Sequence, residues 1–531
     1  MMSLPRRLAA LLWLLFSLAA ARDQPRLSTQ ELDALENMCD LQSLSDTTYC
    51  YCDHLTRDDA TISNCWVYGD TRPNSTLWDT FHHQKRLHRL TVNLRGDGSL
   101  DFVPSRILSY TPQLWMFEIK NANITRVVSE AFTESESVAE LRLTSNGIVR
   151  LEKHAFNSLT NLTRLNLGKN KITALGRHVF KNLPKLKLLF MDRNEIAKIR
   201  SGAFVGLDVL QVLELYDNRL DHLSHGTFRG LKKLERLDLH RNLIETIEDR
   251  TFSTLPSLRE LDLEGNRIKY ISEKGFSGLK NLMRLNLHDN KLLSILPGTF
   301  VETPELFFLD LRQNVLDTLE EKTFSPIMDN LKNITMYLFV RDNALHCDCR
   351  LAWLLGLRTA TASTHVQAAL DNTVCHMEGD SLPARLETAV TADPPLETST
   401  LGIGPPVRLV DLKVQELPCD RPLAEDAIKG DQHSKKPTTQ QQHQKHHHRQ
   451  RQQELEQQHR QKQPDPHHQK QQDQGQLDGG QQRRLKAESP PPAGASVRRE
   501  DAPMARGGAG VAASSAWVLL LTSLAVATAA R

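Results

Sequence analysis

The chain has 531 residues, a formal net charge of +2 and eight cysteines. The charge is uneven, because residues 22–420 carry a net charge of −6 whereas residues 421–506 carry +5. A mildly acidic amino-terminal part argues against a nucleic-acid-binding protein, which would need a basic face.

Residues 1–21 have the organisation of a secretory signal peptide. Arg6 and Arg7 form the basic start, residues 8–18 the apolar core, and Ala19–Ala21 a cleavage site of small residues. A retained membrane anchor is the alternative, but the apolar core is too short to favour it. We therefore expect the mature chain to begin at Arg22 and to enter an oxidising compartment.

Residues 22–86 contain the first four cysteines, which are Cys39, Cys50, Cys52 and Cys65. They suit either a zinc site or a disulfide-bonded cap over the first repeat. The secretory route and the open end of a repeat array both favour the cap. The spacing alone permits three pairings.

Residues 87–345 form the repeat region, and residues 138–316 repeat with a period of 24 residues. The first coils, over residues 87–124, are irregular, and the last coil is stretched to 29 residues between Asn314 and Asn343. An asparagine ladder keeps the 24-residue step and comprises Asn146, Asn170, Asn194, Asn218, Asn242, Asn266, Asn290 and Asn314. A phenylalanine ladder does the same and comprises Phe132, Phe156, Phe180, Phe204, Phe228, Phe252, Phe276, Phe300 and Phe324. The shared pattern L-x-x-L-x-L-x-x-N-x-L is that of leucine-rich repeats.

The pattern predicts an α/β solenoid of about 10–11 coils, a leucine-rich repeat horseshoe with a parallel β-sheet on its concave face and disulfide-stabilised terminal caps. Leu165 and Leu167 alternate as inward residues of a strand, and Asn170 follows where the chain must turn. Its amide is expected to bond backbone groups of the turn. Phe180 closes the far wall. Such a solenoid offers a surface rather than a single pocket.

The period also distinguishes the outward residues of each strand from the inward leucines, and the outward residues are the candidates for contact with a partner. They are Leu188, Phe190, Val212, Glu214, Tyr216, Asp238, Asp262 and Asp310. The large apolar members favour a protein interface. The acidic members have an equally good alternative, which is that Asp suits the turn of the strand. No G-x-S-x-G, H-E-x-x-H or phosphate-loop motif is present, so we expect neither an enzyme nor a cofactor or metal.

Residues 346–420 contain the second group of cysteines, Cys347, Cys349, Cys375 and Cys419. The first two begin a C-x-C-x-L-x-W-L motif directly after the last repeat. Leu351, Trp353 and Leu354 are expected on one face of a short helix that covers the final coil.

The remaining sequence predicts a stalk and an anchor. Residues 421–506 are dominated by Gln, His, Lys and Pro and are expected to be a disordered stalk, whose histidines are a polar spacer or, alternatively, metal ligands. Residues 507–531 match a GPI-attachment signal, with Gly507 or Gly508 as the attachment residue. A transmembrane helix over residues 511–530 is the alternative. Four sequons place N-glycosylation at Asn74, Asn123, Asn161 and Asn333.

The two cysteine groups resemble the terminal caps of extracellular leucine-rich repeat proteins. That resemblance implies the disulfides Cys39–Cys52, Cys50–Cys65, Cys347–Cys375 and Cys349–Cys419. The order of segments, with Cys50, Cys52 and Cys65 ahead of the repeats, resembles the arthropod connectin family.

The connectin resemblance implies a GPI-anchored cell-adhesion protein on the extracellular face of the plasma membrane. Its protein partner would be itself in trans, as in recognition between neurons and their targets. The alternatives are a GPI-anchored co-receptor for a secreted or membrane ligand and a matrix-associated structural protein.

Overall fold

The computed structural model describes residues 27–40, 47–53, 60–132, 135–157, 159–377 and 405–419. The chain divides into two units, Met1–Asp431 and Gln432–Arg531, and every described residue belongs to the first. The expected signal peptide, the stalk and the GPI signal lie outside the described residues.

One sheet of thirteen strands organises the described part of the chain, in the order β1-β2-β3-β4-β6-β8-β10-β12-β13-β15-β17-β18-β19. β1 pairs with β2 in the antiparallel sense, and every later pair is parallel. These strands are β1 (Thr48–Cys52), β2 (Ile62–Val67), β3 (Arg89–Leu94), β4 (Met116–Lys120), β6 (Glu140–Arg142), β8 (Arg164–Asn166), β10 (Leu188–Phe190), β12 (Val212–Glu214), β13 (Arg236–Asp238), β15 (Glu260–Asp262), β17 (Arg284–Asn286), β18 (Phe308–Asp310) and β19 (Tyr337–Phe339).

Short strands on the other side of the coils pair in twos. They are β5 (Arg126–Val127) with β7 (Arg150–Leu151), β9 (Ala174–Leu175) with β11 (Lys198–Ile199), and β14 (Thr246–Ile247) with β16 (Tyr270–Ile271). In the carboxy-terminal cap, β20 (Val374–His376) pairs with β21 (Pro406–Arg408) in the antiparallel sense. The α-helices are α1 (Thr29–Asp33), α2 (Arg106–Tyr110), α3 (Glu321–Phe324), α4 (Met328–Lys332), α5 (Ala352–Ala360) and α6 (Thr364–Asp371). The 3₁₀ helices are Met38–Asp40, Thr76–His83, Ser325–Ile327, Cys349–Leu351, Leu409–Asp411 and Val414–Glu416.

The asparagine ladder holds consecutive coils together through buried amides. Asn194 accepts a hydrogen bond from the backbone N–H of Ile172 at 3.0 Å and donates to the carbonyls of Leu167, Met191 and Asp192 at 3.0–3.1 Å. One side chain therefore satisfies backbone groups of its own turn and of the preceding coil.

The second of the two irregular first coils satisfies its turn in a different way. Ala122 occupies the asparagine position there, and the next residue, Asn123, accepts from the N–H of Leu100 at 2.9 Å. The 29-residue final coil keeps the regular solution, since Asn343 donates to the carbonyls of Leu311 and Val340.

The phenylalanine ladder forms the wall opposite the main sheet. All nine rings are buried, and neighbours such as Phe156 and Phe180 stack with centroids 6.0 Å apart. Each fully buried ring contributes roughly 1.5–3 kcal/mol to folding. Trp353 of α5 continues the stack, with its ring 5.4 Å from that of Phe324 and its indole N–H donating to the carbonyl of Leu319. The final coil is thereby covered as its sequence motif predicts.

Four disulfides lie in the two caps, with the pairs Cys39–Cys52, Cys50–Cys65, Cys347–Cys375 and Cys349–Cys419. These are the pairs that the resemblance to extracellular caps implies. Within the described ranges, no helix combines the length and the apolar character needed to cross a bilayer.

Candidate functional site

The outward side of the main sheet carries most of the contact residues that the sequence predicts. Leu188 and Val212 face each other across β10 and β12, and Phe190 lies beside Glu214 in the same register. All four side chains are half-buried. The guanidinium of Arg164 lies 6.0 Å from the centroid of the Phe190 ring, so a cation borders this apolar group.

Tyr216 lies at the next outward position and is part of an aromatic stack. Its ring is parallel to that of His240, with centroids 4.4 Å apart and planes inclined by 8°. The guanidinium of Arg193 lies 5.7 Å from the Tyr216 centroid. Burial, followed by the nearby charge of Asp192, raises the pKa of Tyr216 to about 12. The phenol is neutral at physiological pH, and its hydrogen bond with Asp192 also contributes to the raised pKa.

Two of the predicted acidic contacts require correction. Asp238 is only 5% exposed and Asp310 only 2%, so neither carboxylate is open to a partner. Asp238 accepts from the backbone N–H of His240 at 3.2 Å and from its ring Nδ1 at 2.6 Å. Asp310 accepts from the N–H and guanidinium of Arg312. These aspartates fix the turn that follows the strand, in agreement with the alternative interpretation.

Other carboxylates do remain at the surface, and we call Glu214, Glu260, Asp262 and Glu264 the acidic patch. Burial is the main reason that the pKa values of Glu214 and Asp262 are raised, and the negative charge of Asp238 adds to both. The mutual repulsion of these groups gives the patch a preference for a cationic partner.

His240 belongs to the same surface and reduces its negative charge when protonated. The hydrogen bond that the His240 ring donates to Asp238 is the largest cause that raises the pKa of His240. One ligand atom each of Asp238, His240 and Asp262 lies within 4.8 Å of the others, so among the described residues this trio has the spacing of a divalent-ion site. The ring Nδ1 of His240 is, however, engaged by Asp238.

A cationic aromatic patch follows the acidic patch along the sheet and consists of Arg284, Phe308, Arg312 and Phe339. The Arg284 guanidinium lies 4.0 Å from the Phe308 centroid, and that of Arg312 lies 4.8 Å from the Phe339 centroid. The two rings are 5.5 Å apart. Sequence reasoning missed Phe339 because it lies in the stretched coil. Its alignment with the outward residues Glu214 and Asp310 would have identified it.

The four predicted glycosylation residues are at least partly accessible. Asn74, Asn123 and Asn333 are exposed and Asn161 is half-buried. Asn161 donates to the carbonyl of Glu136, and its Oδ1 accepts from the ammonium of Lys185 at 2.6 Å. Asn161 lies just ahead of β8, at the edge of the outward face of the main sheet. A glycan on Asn161 would limit access to that face from one side.

Comparison with known proteins agrees with this architecture. The family model described as Leucine rich repeat matches in overlapping segments from residue 136 to residue 335. The parallel coils, the asparagine ladder and these matches define a leucine-rich repeat protein. Such solenoids typically serve as scaffolds for protein interaction.

This leucine-rich repeat protein resembles Connectin of Drosophila melanogaster, to which it is 37% identical over 79 residues. That stretch covers 15% of this chain and 11% of Connectin, so the chain matches only a small part of that relative.

Several solved structures are also similar. The TLR13–ssRNA13 complex matches at 25% identity over 51% of this chain and 38% of that chain, with a TM-score of 0.45. The complex of Latrophilin 3, Unc5D and FLRT2 matches at 24% identity over 56% and 78%, with a TM-score of 0.40. The mouse RP105/MD-1 complex matches at 22% identity over 67% and 58%, with a TM-score of 0.46.

Proposed function

We propose that this protein mediates adhesion between cells by binding a second copy of itself through the outward face of the main sheet. The observation that carries the proposal is the succession of the acidic patch and the cationic aromatic patch along one face. Neighbouring strands place Glu260 directly beside Arg284 at the border between them.

A two-fold symmetric contact matches this arrangement. In such a contact, residue i meets residue j of the partner, and residue j meets residue i. An axis at the border of the two patches would bring each acidic patch against a cationic aromatic patch, twice per dimer. A register that superposed the acidic patches would instead be disfavoured by repulsion.

The composition of the face supports a protein partner. Phe308 and Phe339 are half-buried and lie against guanidinium groups, and aromatic residues and Arg are enriched where protein interfaces gain most of their binding energy. The carboxylates of the acidic patch are the complementary groups for Arg284, whereas the guanidinium of Arg312 is already paired with Asp310.

Attachment to the cell is the second element of the proposal. We place it in a GPI anchor at Gly507 or Gly508, with residues 421–506 as the stalk that separates the repeats from the membrane. The supporting features are the small residues and the apolar tail of residues 507–531. Phosphatidylinositol-specific phospholipase C should release the protein from cells, and persistence on the membrane would favour a transmembrane helix.

A charge-swap experiment tests the homophilic contact. Cells that express Glu260→Lys or Arg284→Glu should each fail to aggregate with themselves, because each variant meets its own copy with like charges. A mixture of the two populations should aggregate, since each altered charge then meets its opposite. Lys291→Glu, an exposed charge outside the face, is the matched control and should aggregate normally.

Other outcomes decide between the proposal and its alternative. If wild-type cells ignore one another but bind a soluble or membrane ligand, the protein is a co-receptor instead. If the single variants fail and the mixture also fails, the proposed pairing of the two patches is wrong. Equal surface expression, measured with an antibody against the stalk, is required for each comparison.

A further inference from the structure

A second surface lies away from the main sheet, on the side of the coils that carries β7, β9 and β11. A groove of about 1420 Å³ runs there across several consecutive coils. Its lining includes the exposed cations Arg150, Lys153, Arg177, Lys198 and Arg200. This surface is separate from the one that the proposed adhesion uses.

The groove exists because two small residues, Ala174 and Gly176, occupy positions at which the neighbouring coils carry long side chains. Ala174 lies one 24-residue period after Arg150 and one before Lys198. Gly176 lies one period after Glu152 and one before Arg200. Coils follow each other at roughly 4.8 Å, so the missing side chains leave a notch. Arg150 and Lys198 border it at Ala174, and Glu152 and Arg200 border it at Gly176.

The cations of the groove have few internal partners. Arg150, Lys153, Lys198 and Arg200 make no ion pair with any other residue that the structure describes, and Arg177 donates to the backbone carbonyl of Ser201. Glu152 is the acidic residue among the described lining, and it is paired with Arg126 at 3.5 Å. The positive charges therefore repel one another without internal compensation.

We propose that this groove binds a sulfated, acidic polysaccharide. The groove is far larger than a single inorganic anion, and it continues over several coils, so an extended polymer fits it better. Sulfate and carboxylate groups at regular intervals would meet Arg150, Lys198 and Arg200 in turn. Guanidinium groups bind such oxyanions in a bidentate manner, and basic clusters of this kind are typical of heparin-binding surfaces.

The lining argues against nucleic acid as the ligand. Single strands bind to grooves in which several aromatic side chains stack with the bases. Here His178 is the one aromatic ring among the described lining residues, and the rest of the lining between the cations is small or aliphatic, as at Val149, Leu175 and Ile199. A membrane is also a poor fit, since the described lining contains no Phe, Tyr or Trp and its Leu side chains are buried.

Binding of the full-length protein to immobilised heparin tests the proposal. The triple variant Arg150→Ser/Lys198→Ser/Arg200→Ser should bind at least tenfold more weakly than the wild type. Its salt dependence should also fall by roughly one unit of slope for each cation that contacts a sulfate. The control Arg259→Ser/Arg267→Ser/Lys291→Ser removes three exposed cations elsewhere on the repeats and should leave the affinity within twofold.

A second variant tests the shape of the groove without changing its charge. Ala174→Gln/Gly176→Gln fills the notch, and a Cβ at residue 176 meets only the side chain of Val179, at 3.8 Å. We expect a loss of at least fivefold in heparin affinity with an unchanged melting temperature.

Three outcomes would overturn the proposal. The first is unchanged heparin binding by both groove variants, which would assign any binding to the basic stalk. The second is an equal loss in the control variant. The third is tighter binding to duplex DNA or to phosphatidylserine vesicles than to heparin. None of these outcomes bears on the charge-swap test of adhesion, because that test concerns the other face.

Discussion

The rings of Tyr216 and His240, each two residues beyond the end of β12 or β13, stack with their centroids 4.4 Å apart. The imidazole Nδ1 of His240 is 2.6 Å from a carboxylate oxygen of Asp238. His240 thus makes both an aromatic contact and an ionisable contact in the middle of the candidate face. Protonation of that histidine links the stability of the coil to the charge of the surface beside it.

The first prediction concerns this histidine. Asp238 raises the pKa of His240, so the contact stabilises the fold fully below the unfolded pKa of about 6.5 and loses that effect as the pH rises through the folded pKa. His240→Gln should therefore lower the free energy of unfolding by about 0.5–1 kcal/mol at pH 5.5 and by less at pH 9. Denaturant unfolding at both pH values measures this. His222→Gln, an exposed histidine, is the control, and a cost that grows with pH would contradict the prediction.

The second prediction concerns Glu214, whose raised pKa has burial as its first cause and Asp238 as its second. A carboxyl group with a raised folded pKa destabilises the fold when ionised. Glu214→Gln should therefore stabilise the protein at pH 7, and the gain should disappear as the pH falls through the folded pKa towards the unfolded pKa of about 4.3. Melting curves from pH 4 to pH 8 measure the trend.

Glu245→Gln serves as the control for that series, because Glu245 is exposed and paired with Lys269 at 3.3 Å. It should change the melting temperature little, and without the same pH trend. A loss of stability in Glu214→Gln at pH 7 would show that its charge is compensated by a group other than those named here.

The third prediction tests the asparagine ladder. Asn194→Ala removes four hydrogen bonds and leaves the buried N–H of Ile172 and several carbonyls without their partner. Each unsatisfied buried group costs about 1–3 kcal/mol, so the free energy of unfolding should fall by at least about 2 kcal/mol. Asn281→Ala removes one hydrogen bond to Pro256 at an exposed position and should cost less than about 1 kcal/mol.

The fourth prediction separates a structural from a glycan-bearing role at Asn123. Its carbonyl oxygen accepts from the N–H of Leu100, and this contact is compatible with a glycan on its nitrogen. Asn123→Ala and Thr125→Ala both abolish the sequon, but only the first removes that acceptor. Asn123→Ala should therefore be less stable than Thr125→Ala by about 1–2 kcal/mol. Equal melting temperatures for the two secreted variants would assign the whole effect to the glycan.

The period of the repeat made much of this fold predictable. A step of 24 residues identifies Asn170 and Phe180 as inward groups without any structural information, because every coil must satisfy its own turn and close its own wall. The capping role of Trp353 was also predictable, since a C-x-C-x-L-x-W-L motif directly follows the last coil.

The same period could not predict how the outward side chains are oriented. It places Asp238 and Asp310 on the outer side of the sheet, but the backbone N–H two residues later draws each carboxylate down onto its own strand. The contacts of Arg284 and Arg312 with rings of neighbouring coils depend on side-chain rotamers, which spacing does not encode. The basic groove could have been predicted, because Ala174 is a small residue one period from Arg150 and from Lys198. The candidate contacts were taken only from the strands of the main sheet, so the groove was missed.

The fifth prediction concerns the cationic aromatic patch. Phe308→Ser removes the ring that lies 4.0 Å from the Arg284 guanidinium and 5.5 Å from the Phe339 ring. If this patch meets the acidic patch of a second copy, the loss of a central aromatic group should weaken homophilic binding by about 1–2 kcal/mol, or roughly five- to thirtyfold. The rate of cell aggregation and the self-affinity of the released protein both measure this.

Val301→Ser provides the matched control, because Val301 is 61% exposed and lies outside the strands of the main sheet. Both substitutions exchange an apolar side chain for a hydroxyl, so a general effect of surface hydrophobicity would reduce aggregation in both. A specific contact predicts a loss of aggregation in Phe308→Ser alone. The losses of binding free energy in Glu260→Lys and Phe308→Ser should add in the double variant only if the two residues act in separate contacts. Normal aggregation of Phe308→Ser cells would exclude this patch from the interface, and the contact would then have to lie among Leu188, Phe190 and Val212.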